Sequence, residues 1–241
     1  MKLYGKNPVI ERIKTAPQTV KKIYLQKGTD LSSIVKIIKT AGLDFVSVDK
    51  NWFKNKCGTM HTQGVMAEIK SFEYAQYSSV LDECLKKKII PVFLDGITDP
   101  QNLGAIIRSL ACLGGFSIVL PQYDSAQVNE TVLRVASGGE NYVSIAKIPN
   151  IAKVLREIKE RKKIKIIGAE AGSAKLITNM KITLPCVIVI GSEGKGIRPG
   201  VKKYLDTSVS LPMRGAALSY NAAVATSLFC YEVAFHAARN M

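Results

Sequence analysis

Residues 90–120 read IPVFLDGITDPQNLGAIIRSLACLGGFSIVL. The apolar run at 90–94 predicts a buried strand, and a second run of the same kind ends the stretch. Between the two lie clear helix signals, with Asp99 as N-cap, Pro100 at the first helical position and Gly114 after the last apolar residue. Strand, helix and strand in this order predict a parallel pair joined by a crossover helix.

The residues after 120 continue this strand–helix pattern, whereas the residues before 89 show shorter apolar runs. Further apolar, β-branched runs follow, separated by helical patterns, at 142–148, 164–168, 187–190 and 209–211. We therefore expect residues 89–241 to form an α/β domain whose mainly parallel sheet is covered by helices on both faces. Shorter runs predict a small α/β domain over 1–74, and the polar segment 75–88 is the expected linker.

Composition favours a globular protein that meets a polyanion. Of the 241 residues, 47% are hydrophobic, which is enough to build genuine cores. The net charge of +15 indicates a nucleic-acid partner, with an anionic membrane as the competing interpretation. The positive excess is +8 in residues 1–88 and +7 in 89–241, so both parts are expected to face the polyanion.

Neither a metal site nor a membrane span is expected. The five cysteines are widely spaced and predict reduced, buried thiols in a cytoplasmic protein. The two histidines, His61 and His236, lack ligand spacing. The N-terminus lacks an apolar core of signal-peptide length, and the most apolar segment, 216–238, is interrupted by Asn221 and Glu232. It predicts a buried or interface helix.

Three polar segments fall where ligands bind in open α/β sheets, beyond the carboxyl ends of strands. They are residues 95–102, the glycine-containing segment 191–196, and 211–221. The second reads GSEGKG, which matches neither common nucleotide-binding motif, although its glycines would let a ligand approach the backbone.

Each candidate residue in these segments also has an ordinary structural explanation. Asn102 could be a polar residue of the first helical turn, and Arg108 could belong to a solvated helix face. Ser219 and Asn221 could cap the last helix. Taken singly, each structural explanation is at least as strong as a catalytic one.

Taken together, the order and spacing of the segments resemble one family closely. Residues 99–109, 190–197 and 211–225 are similar to the three motifs of the SpoU-type RNA ribose 2′-O-methyltransferases, which belong to the knotted SPOUT group. The N-terminal part, from 3–9 through 61–65, looks like the substrate-binding domain of the subgroup that methylates a guanosine of bacterial 23S ribosomal RNA.

The resemblance implies a trefoil knot in the C-terminal domain, a homodimer through the last helix, and S-adenosylmethionine as cofactor. It places seven residues at the cofactor: Ala169, Gly191, Ser192, Gly196, Leu211, Met213 and Tyr220. Position 220 is usually leucine in this family, so the tyrosine is expected to keep the backbone contact and to change the local packing.

For catalysis the resemblance implies five residues: Asn102, Arg108, Glu193, Ser219 and Asn221. The very high pKa of arginine argues against Arg108 as a base, so we expect it to hold a phosphate and polarise the hydroxyl while another group accepts the proton. The expected substrate is 23S ribosomal RNA or a ribosome assembly intermediate. A transfer RNA ribose methyltransferase and a non-catalytic ribosome-associated RNA-binding protein are the alternatives.

A basic run lies outside these motifs. It comprises Lys153, Arg156, Lys159, Arg161, Lys162, Lys163 and Lys165. Because charge runs are usually solvated helix faces, we expect the N-terminal lysines to be the better candidates for RNA contacts.

Overall fold

The computed structural model describes residues 1–58, 62–161, 163–216 and 218–239. His61 of the N-terminal resemblance and Lys162 of the basic run lie outside these ranges. The described residues form two sheets, one of four strands and one of six.

The smaller sheet belongs to the N-terminal part of the chain. Its strands and helices are β1 (Lys2–Tyr4), α1 (Lys6–Thr15), β2 (Val20–Gln26), α2 (Ser32–Thr40), β3 (Phe45–Val48), α3 (Lys50–Cys57) and β4 (Val65–Ile69). The strand order is β1-β4-β2-β3, with β2 parallel to β3 and β4 antiparallel to both of its neighbours. One face is buried together with apolar residues of α1 and α2, including Val9 and Ile34.

The larger sheet follows. Its elements are α4 (Tyr77–Leu85), β5 (Ile90–Asp95), α5 (Pro100–Leu113), β6 (Phe116–Pro121), α6 (Glu130–Ala136), β7 (Ile145–Ile148), α7 (Ile151–Arg161), β8 (Lys165–Ala169), β9 (Cys186–Gly191), α8 (Pro199–Lys202), β10 (Thr207–Val209) and α9 (Ala222–Arg239). The strand order is β10-β8-β9-β5-β6-β7, and every pairing is parallel. Two buried clusters, one on each side of the sheet, include residues of α5 and α9 in one case and of α4 and α7 in the other. The predicted parallel α/β architecture is confirmed, whereas the knot stays a prediction.

The segment expected to be a linker, 75–88, is structured. Ala75 forms a parallel bridge with Ala146 of β7. Val80 and Cys84 of α4 are buried in the cluster beneath the larger sheet. Its polar residues lie on the outward side of a helix whose apolar side packs on the sheet, so the segment is part of that layer and not a free connection.

Helix α5 begins and ends as its sequence signals predict. The Asp99 side chain accepts a hydrogen bond from the backbone N–H of Gln101 at 2.9 Å, and Gly114 ends the helix at φ 68°. Two strands of the larger sheet differ from the sequence prediction by more than one residue. β7 starts at Ile145 because 139–141 form a 3₁₀ turn, and β10 covers Thr207–Val209 because the chain leaves the sheet at the residues that follow.

The two sheets are joined by direct contacts between α1 or β1 and the α6 region. Leu133 of α6 is buried in the core of the smaller sheet. The Arg12 guanidinium pairs with Glu140 at 3.0 Å, and the Glu140 side chain is fully buried. Glu130 accepts a hydrogen bond from the backbone N–H of Lys2 at 2.7 Å.

The prediction that the cysteines are buried is wrong for one of them. All five are free thiols, and Cys112 is exposed because it lies four residues after Arg108 on the solvent side of α5. Among the described residues, none of the helices combines the length and hydropathy needed to cross a bilayer.

Candidate active site

The candidate site lies at one edge of the larger sheet, where parallel strands end together. β5 ends at Asp95, β8 at Ala169, β9 at Gly191 and β10 at Val209. A cavity of about 400 Å³ opens at this edge, a volume within the range of small-molecule sites. The position agrees with the rule that ligands of open α/β sheets sit beyond the carboxyl ends of the strands.

The structure brings all seven residues predicted to bind the cofactor to this cavity. They are Ala169, Gly191, Ser192, Gly196, Leu211, Met213 and Tyr220. Ile190, Val209 and Phe229 provide apolar wall. Tyr220 is 42% exposed and therefore forms an outer wall rather than a buried floor.

The loop after β9 is closed on itself. Ser192 and Gly196 exchange two backbone hydrogen bonds, at 3.2 and 2.9 Å. A Cβ atom at Gly191 would lie 2.1 Å from the carbonyl carbon of Gly196, so no other residue fits there without moving the backbone. The glycines thus allow the tight loop that carries Glu193 into the site.

A buried ion pair anchors the far end of this loop to β5. Asp95 is fully buried, and its carboxylate accepts hydrogen bonds from the backbone N–H and from Nε of Arg198 at 2.8 and 2.7 Å. A second guanidinium nitrogen lies 2.6 Å from Asp95. Sequence reasoning included Asp95 in a candidate segment and missed Arg198. The signal available was a buried-strand aspartate with an arginine directly after the glycine loop.

Three of the five predicted catalytic residues form one hydrogen-bonded cluster. Glu193 Oε1 accepts from Asn221 Nδ2 at 2.6 Å, from the backbone N–H of Ala222 at 2.7 Å and from Asn102 Nδ2 at 3.4 Å. Asn221 also donates to Asn102 Oδ1 at 2.9 Å. The carboxylate therefore sits at the N-terminus of α9, where the helix dipole favours negative charge, and close to the first turn of α5.

Asn221 has a second task in the same place. Its Oδ1 accepts the backbone N–H of Ala223 at 3.0 Å, so it caps α9 as the structural explanation predicts. The amide group of one side chain thus both starts the helix and orients Glu193.

The other two predicted catalytic residues are placed differently. Ser219 lines the cavity beside Tyr220. Arg108 is exposed on α5, about 9 Å along the helix axis from Asn102 at 1.5 Å per residue, and does not line the cavity. Because its side chain is exposed, Arg108 can contact a ligand that extends from the cavity over the surface of α5.

An ion pair that sequence reasoning missed lies at the rim of the cavity. Glu170 and Lys202 pair with each other, and Lys195 also lines the cavity. The hydrogen bond from Lys202 lowers the pKa of the Glu170 carboxyl, so this group stays ionised at neutral pH. No motif position marked either residue, and their 32-residue separation gave no local signal.

These features suit a ligand with an apolar or planar part and a zwitterionic part. The apolar wall can cover the first, and the charged rim can pair with both signs of the second. At the cavity, the amides of Asn102 and Asn221 hold the Glu193 carboxylate where it can accept a hydrogen bond from a hydroxyl. The chemistry that fits is transfer of a group from a bound small molecule to a hydroxyl held at the cluster.

Comparison with known proteins gives two family matches that together span most of the chain. Residues 89–231 match the model of the SpoU rRNA Methylase family. Residues 2–75 match the model described as RNA 2′-O ribose methyltransferase substrate binding.

Individual proteins agree with these matches. The chain is 33% identical to a putative TrmH family tRNA/rRNA methyltransferase, YacO, of Bacillus subtilis, over 95% of this chain and 93% of the relative. It is 30% identical to the 23S rRNA (guanosine-2′-O-)-methyltransferase RlmB of Photorhabdus laumondii, over 95% and 96%. Its fold is similar to the crystal structure of the SpoU methyltransferase AviRb of Streptomyces viridochromogenes in complex with AdoMet, with a TM-score of 0.81, 20% identity, and coverage of 99% and 91%.

Proposed function

The chain belongs to the SpoU rRNA methylase family, and on this basis we propose which of its residues bind the cofactor and the RNA and which act in methyl transfer. The enzyme transfers a methyl group from S-adenosylmethionine to a ribose 2′-hydroxyl of RNA. The main support for the proposed site is that segments more than a hundred residues apart in the sequence meet at one cavity. Asn102 and Asn221 are 119 residues apart and touch.

The cavity is the proposed cofactor site, and its residues fit S-adenosylmethionine. That cofactor, when bound, supplies an electrophilic methyl group on a sulfonium. The apolar wall at Ile190, Val209 and Phe229 suits an adenine ring, and the rim formed by Glu170 and Lys202 suits a methionine zwitterion. The close approach of the Gly196 backbone to Gly191 holds the loop closed at this wall of the cavity.

The cluster beside the cavity is the proposed position of the ribose. Asn102 and Asn221 hold Glu193, and the three hydrogen bonds that described residues donate to this carboxylate all go to Oε1. We assign proton acceptance from the 2′-hydroxyl to Oε2, with Ser219 orienting the sugar. Holding the hydroxyl in line with the donor is the main contribution, since alignment alone can lower a barrier by about 7–11 kcal/mol.

Arg108 is the proposed phosphate contact. Its guanidinium is always charged, which suits a phosphodiester and excludes a base. Its exposed position on α5, one to two turns from Asn102, suits the backbone of an RNA strand whose ribose reaches the cluster.

The proposed substrate is a guanosine of 23S ribosomal RNA, free or in an assembly intermediate. Support comes from relatives near 30% identity that carry this activity in their names, and from the N-terminal substrate-binding match. A net charge of +15 suits RNA of any kind.

The proposed assembly is a homodimer through α9. Four apolar side chains recur at helical spacing along this helix and stay 41–56% exposed: Val224, Leu228, Tyr231 and Phe235. A stripe of this length on an otherwise packed helix is typical of a surface that a second copy covers.

The experiment that tests the function maps ribose methylation in total RNA from cells with and without the gene. If cells without the gene lack one 23S guanosine methylation, the proposal is supported. If they lack a transfer RNA methylation instead, the substrate is transfer RNA. In vitro, Arg108→Ala should slow transfer of labelled methyl to ribosomal RNA at least about a hundredfold, while Arg156→Ala on the exposed side of α7 should not. Transfer by Arg108→Ala at the wild-type rate would remove Arg108 from the mechanism. If calorimetry detects no binding of S-adenosylmethionine to the protein, the non-catalytic RNA-binding alternative is supported.

A further inference from the structure

The smaller sheet has one face that the fold covers only in part. Alternation along the strands points Leu3, Ile23 and Val65 toward the core formed with α1 and α2. The opposite face carries Lys2, Tyr4, Lys22, Tyr24, Val46, Met66 and Glu68, which pair across the strands in two rows. Helix α3 covers part of this face, burying Phe53 and Cys57 against Tyr4 and Met66. The remainder, with Val46 40% exposed, is named the open face.

An aromatic stack lies at the edge of the open face. The rings of Tyr24 and Trp52 are stacked, with centroids 4.6 Å apart and planes inclined by 25°. Phe53 meets Trp52 edge to face at 5.5 Å and is itself buried, so it fixes the indole from beneath. Lys22 Nζ lies 5.5 Å from the Tyr24 ring centroid. Trp52 remains partly exposed, so the stack can be continued by one more planar ring.

Positive charge surrounds this stack. Lys50, Lys54 and Lys56 of α3 are exposed, as is Lys22, and within the described part of the chain none of the four has a carboxylate within 4.0 Å.

Three acids nearby already have structural partners. Asp49 accepts the backbone N–H of Trp52, and Glu68 accepts the hydroxyl of Tyr24. Glu130 accepts the backbone N–H of Lys2. The lysines are therefore free to meet phosphates.

The open face is connected to the edge of the larger sheet that holds the candidate site. Tyr4, which α3 covers beside the open face, donates its hydroxyl to Glu130, the first residue of α6, at 3.3 Å. The loop before α6 contacts the segment between β5 and α5, because the backbone N–H of Ala126 donates to the carbonyl of Ile97 at 2.7 Å. Ile97 precedes the Asp99 cap of α5 by two residues. A chain of contacts between buried and partly buried residues therefore joins the smaller sheet to the segment that precedes Asn102.

We propose that the open face binds a single-stranded segment of the RNA substrate, with one base stacked on Trp52 and flanking phosphates on Lys22, Lys54 and Lys56. An aromatic platform bordered by lysines is the usual means of holding unpaired bases without reading their sequence. A protein partner would need an apolar patch, and among the described residues of this face only Val46 is an exposed aliphatic side chain. The inference rests on the proposed RNA methyltransferase function and adds a second contact that holds the substrate outside the reaction site.

The chain offers a direct probe, since Trp52 is its one tryptophan. The full-length protein is titrated with an oligouridylate of about ten nucleotides, within the roughly 4–16-nucleotide sites of small single-strand-binding folds. We expect quenching of Trp52 emission that saturates with the same Kd as the anisotropy of a labelled oligonucleotide. Binding seen by anisotropy with unchanged Trp52 emission would overturn the inference.

Two double variants of equal charge change supply the control. Lys54→Glu with Lys56→Glu should weaken binding at least about tenfold and reduce the slope of log Kd against log salt by about 1.4, from roughly 0.7 per phosphate contact on a single strand. Lys36→Glu with Lys39→Glu, on α2 at the opposite face, should weaken it less than about threefold. Equal losses in the two double variants would show a general charge effect and overturn the inference.

Methyl transfer to ribosomal RNA and S-adenosylmethionine affinity are measured for the same proteins. The Lys54 and Lys56 double variant should raise KM for RNA and leave S-adenosylmethionine affinity unchanged. Normal methylation by that variant would reject the open face while the proposed function stands. Failure of the wild-type protein to methylate RNA would reject the function itself.

Discussion

Removal of the Asp95 carboxylate should both destabilise the protein and impair the cofactor site, because this group holds the end of the loop that carries Glu193. Asp95→Ala deletes three contacts to Arg198, at 2.6–2.8 Å. Breaking a buried ion pair costs about 3–5 kcal/mol when the remaining charge cannot be solvated. The Arg198 side chain is 45% exposed and can regain water, so we expect a loss of about 2 kcal/mol.

Substitution of the partner, Arg198, should lower the free energy of unfolding by more. Arg198→Ala leaves a fully buried carboxylate that, among the described residues, keeps the backbone N–H of residue 198 as its only donor, so the loss should reach about 3 kcal/mol or more. Asp124 lies 3.9 Å from the same guanidinium but is 83% exposed, and Asp124→Ala should change stability by less than about 0.5 kcal/mol. At about 2–4 °C per kcal/mol for a chain of this size, Tm should fall least for Asp124→Ala and most for Arg198→Ala.

Calorimetric Tm and titration with S-adenosylmethionine measure the two effects separately. We expect Asp95→Ala to lower Tm by roughly 4–8 °C and to weaken cofactor binding at least about tenfold, which corresponds to about 1.4 kcal/mol. Equal Tm values for Asp95→Ala and Asp124→Ala would refute the buried-pair reasoning. A lowered Tm with unchanged cofactor affinity would refute the coupling between this pair and the site.

Three further substitutions test other parts of the structure. Gly191→Ala places a Cβ 2.1 Å from the backbone of Gly196, so it should abolish S-adenosylmethionine binding in calorimetry; binding at wild-type affinity would show that the loop is not closed in solution. Burial raises the pKa of Glu140 above its ordinary value of 4.5, so stability should fall as pH rises from about 4.5 through the folded-state pKa. Glu140→Gln should flatten that part of a Tm–pH curve, and an unchanged curve would contradict the assignment. Leu228→Asp, in the α9 stripe, should halve the mass found by light scattering, and a monomeric wild-type protein would end the dimer proposal.

The elements of the larger sheet could be predicted because their signals are local. The cap at Asp99, the proline at the first helical position and the apolar spacing of α5 lie within one short stretch, and each acts on its own backbone. Boundaries were less predictable where two local tendencies compete. The predicted strand 142–148 begins with Tyr142, yet the preceding 3₁₀ turn delays β7 until Ile145.

The contacts within the site could not be derived from local pattern. Glu170 and Lys202 meet because β8 and α8 fold next to the same cavity, and no spacing in the chain encodes that. Asp95 and Arg198 are 103 residues apart, and their pairing depends on β5 lying beside β9. The candidate site residues came from resemblance to a family, because the motifs of a family mark residues that lie close together in the folded protein.

Asn221 shows why structural and functional explanations of such residues need not compete. As a helix cap it must present an oxygen to the backbone of α9, and this fixes the orientation of its amide group. The same orientation directs Nδ2 at Glu193 and Asn102. Gly191 follows the same logic, since its lack of a side chain lets the loop close and the same residue lines the cavity. The site is therefore held by the bonds that start a helix and close a loop, so its geometry is preorganised before any substrate arrives.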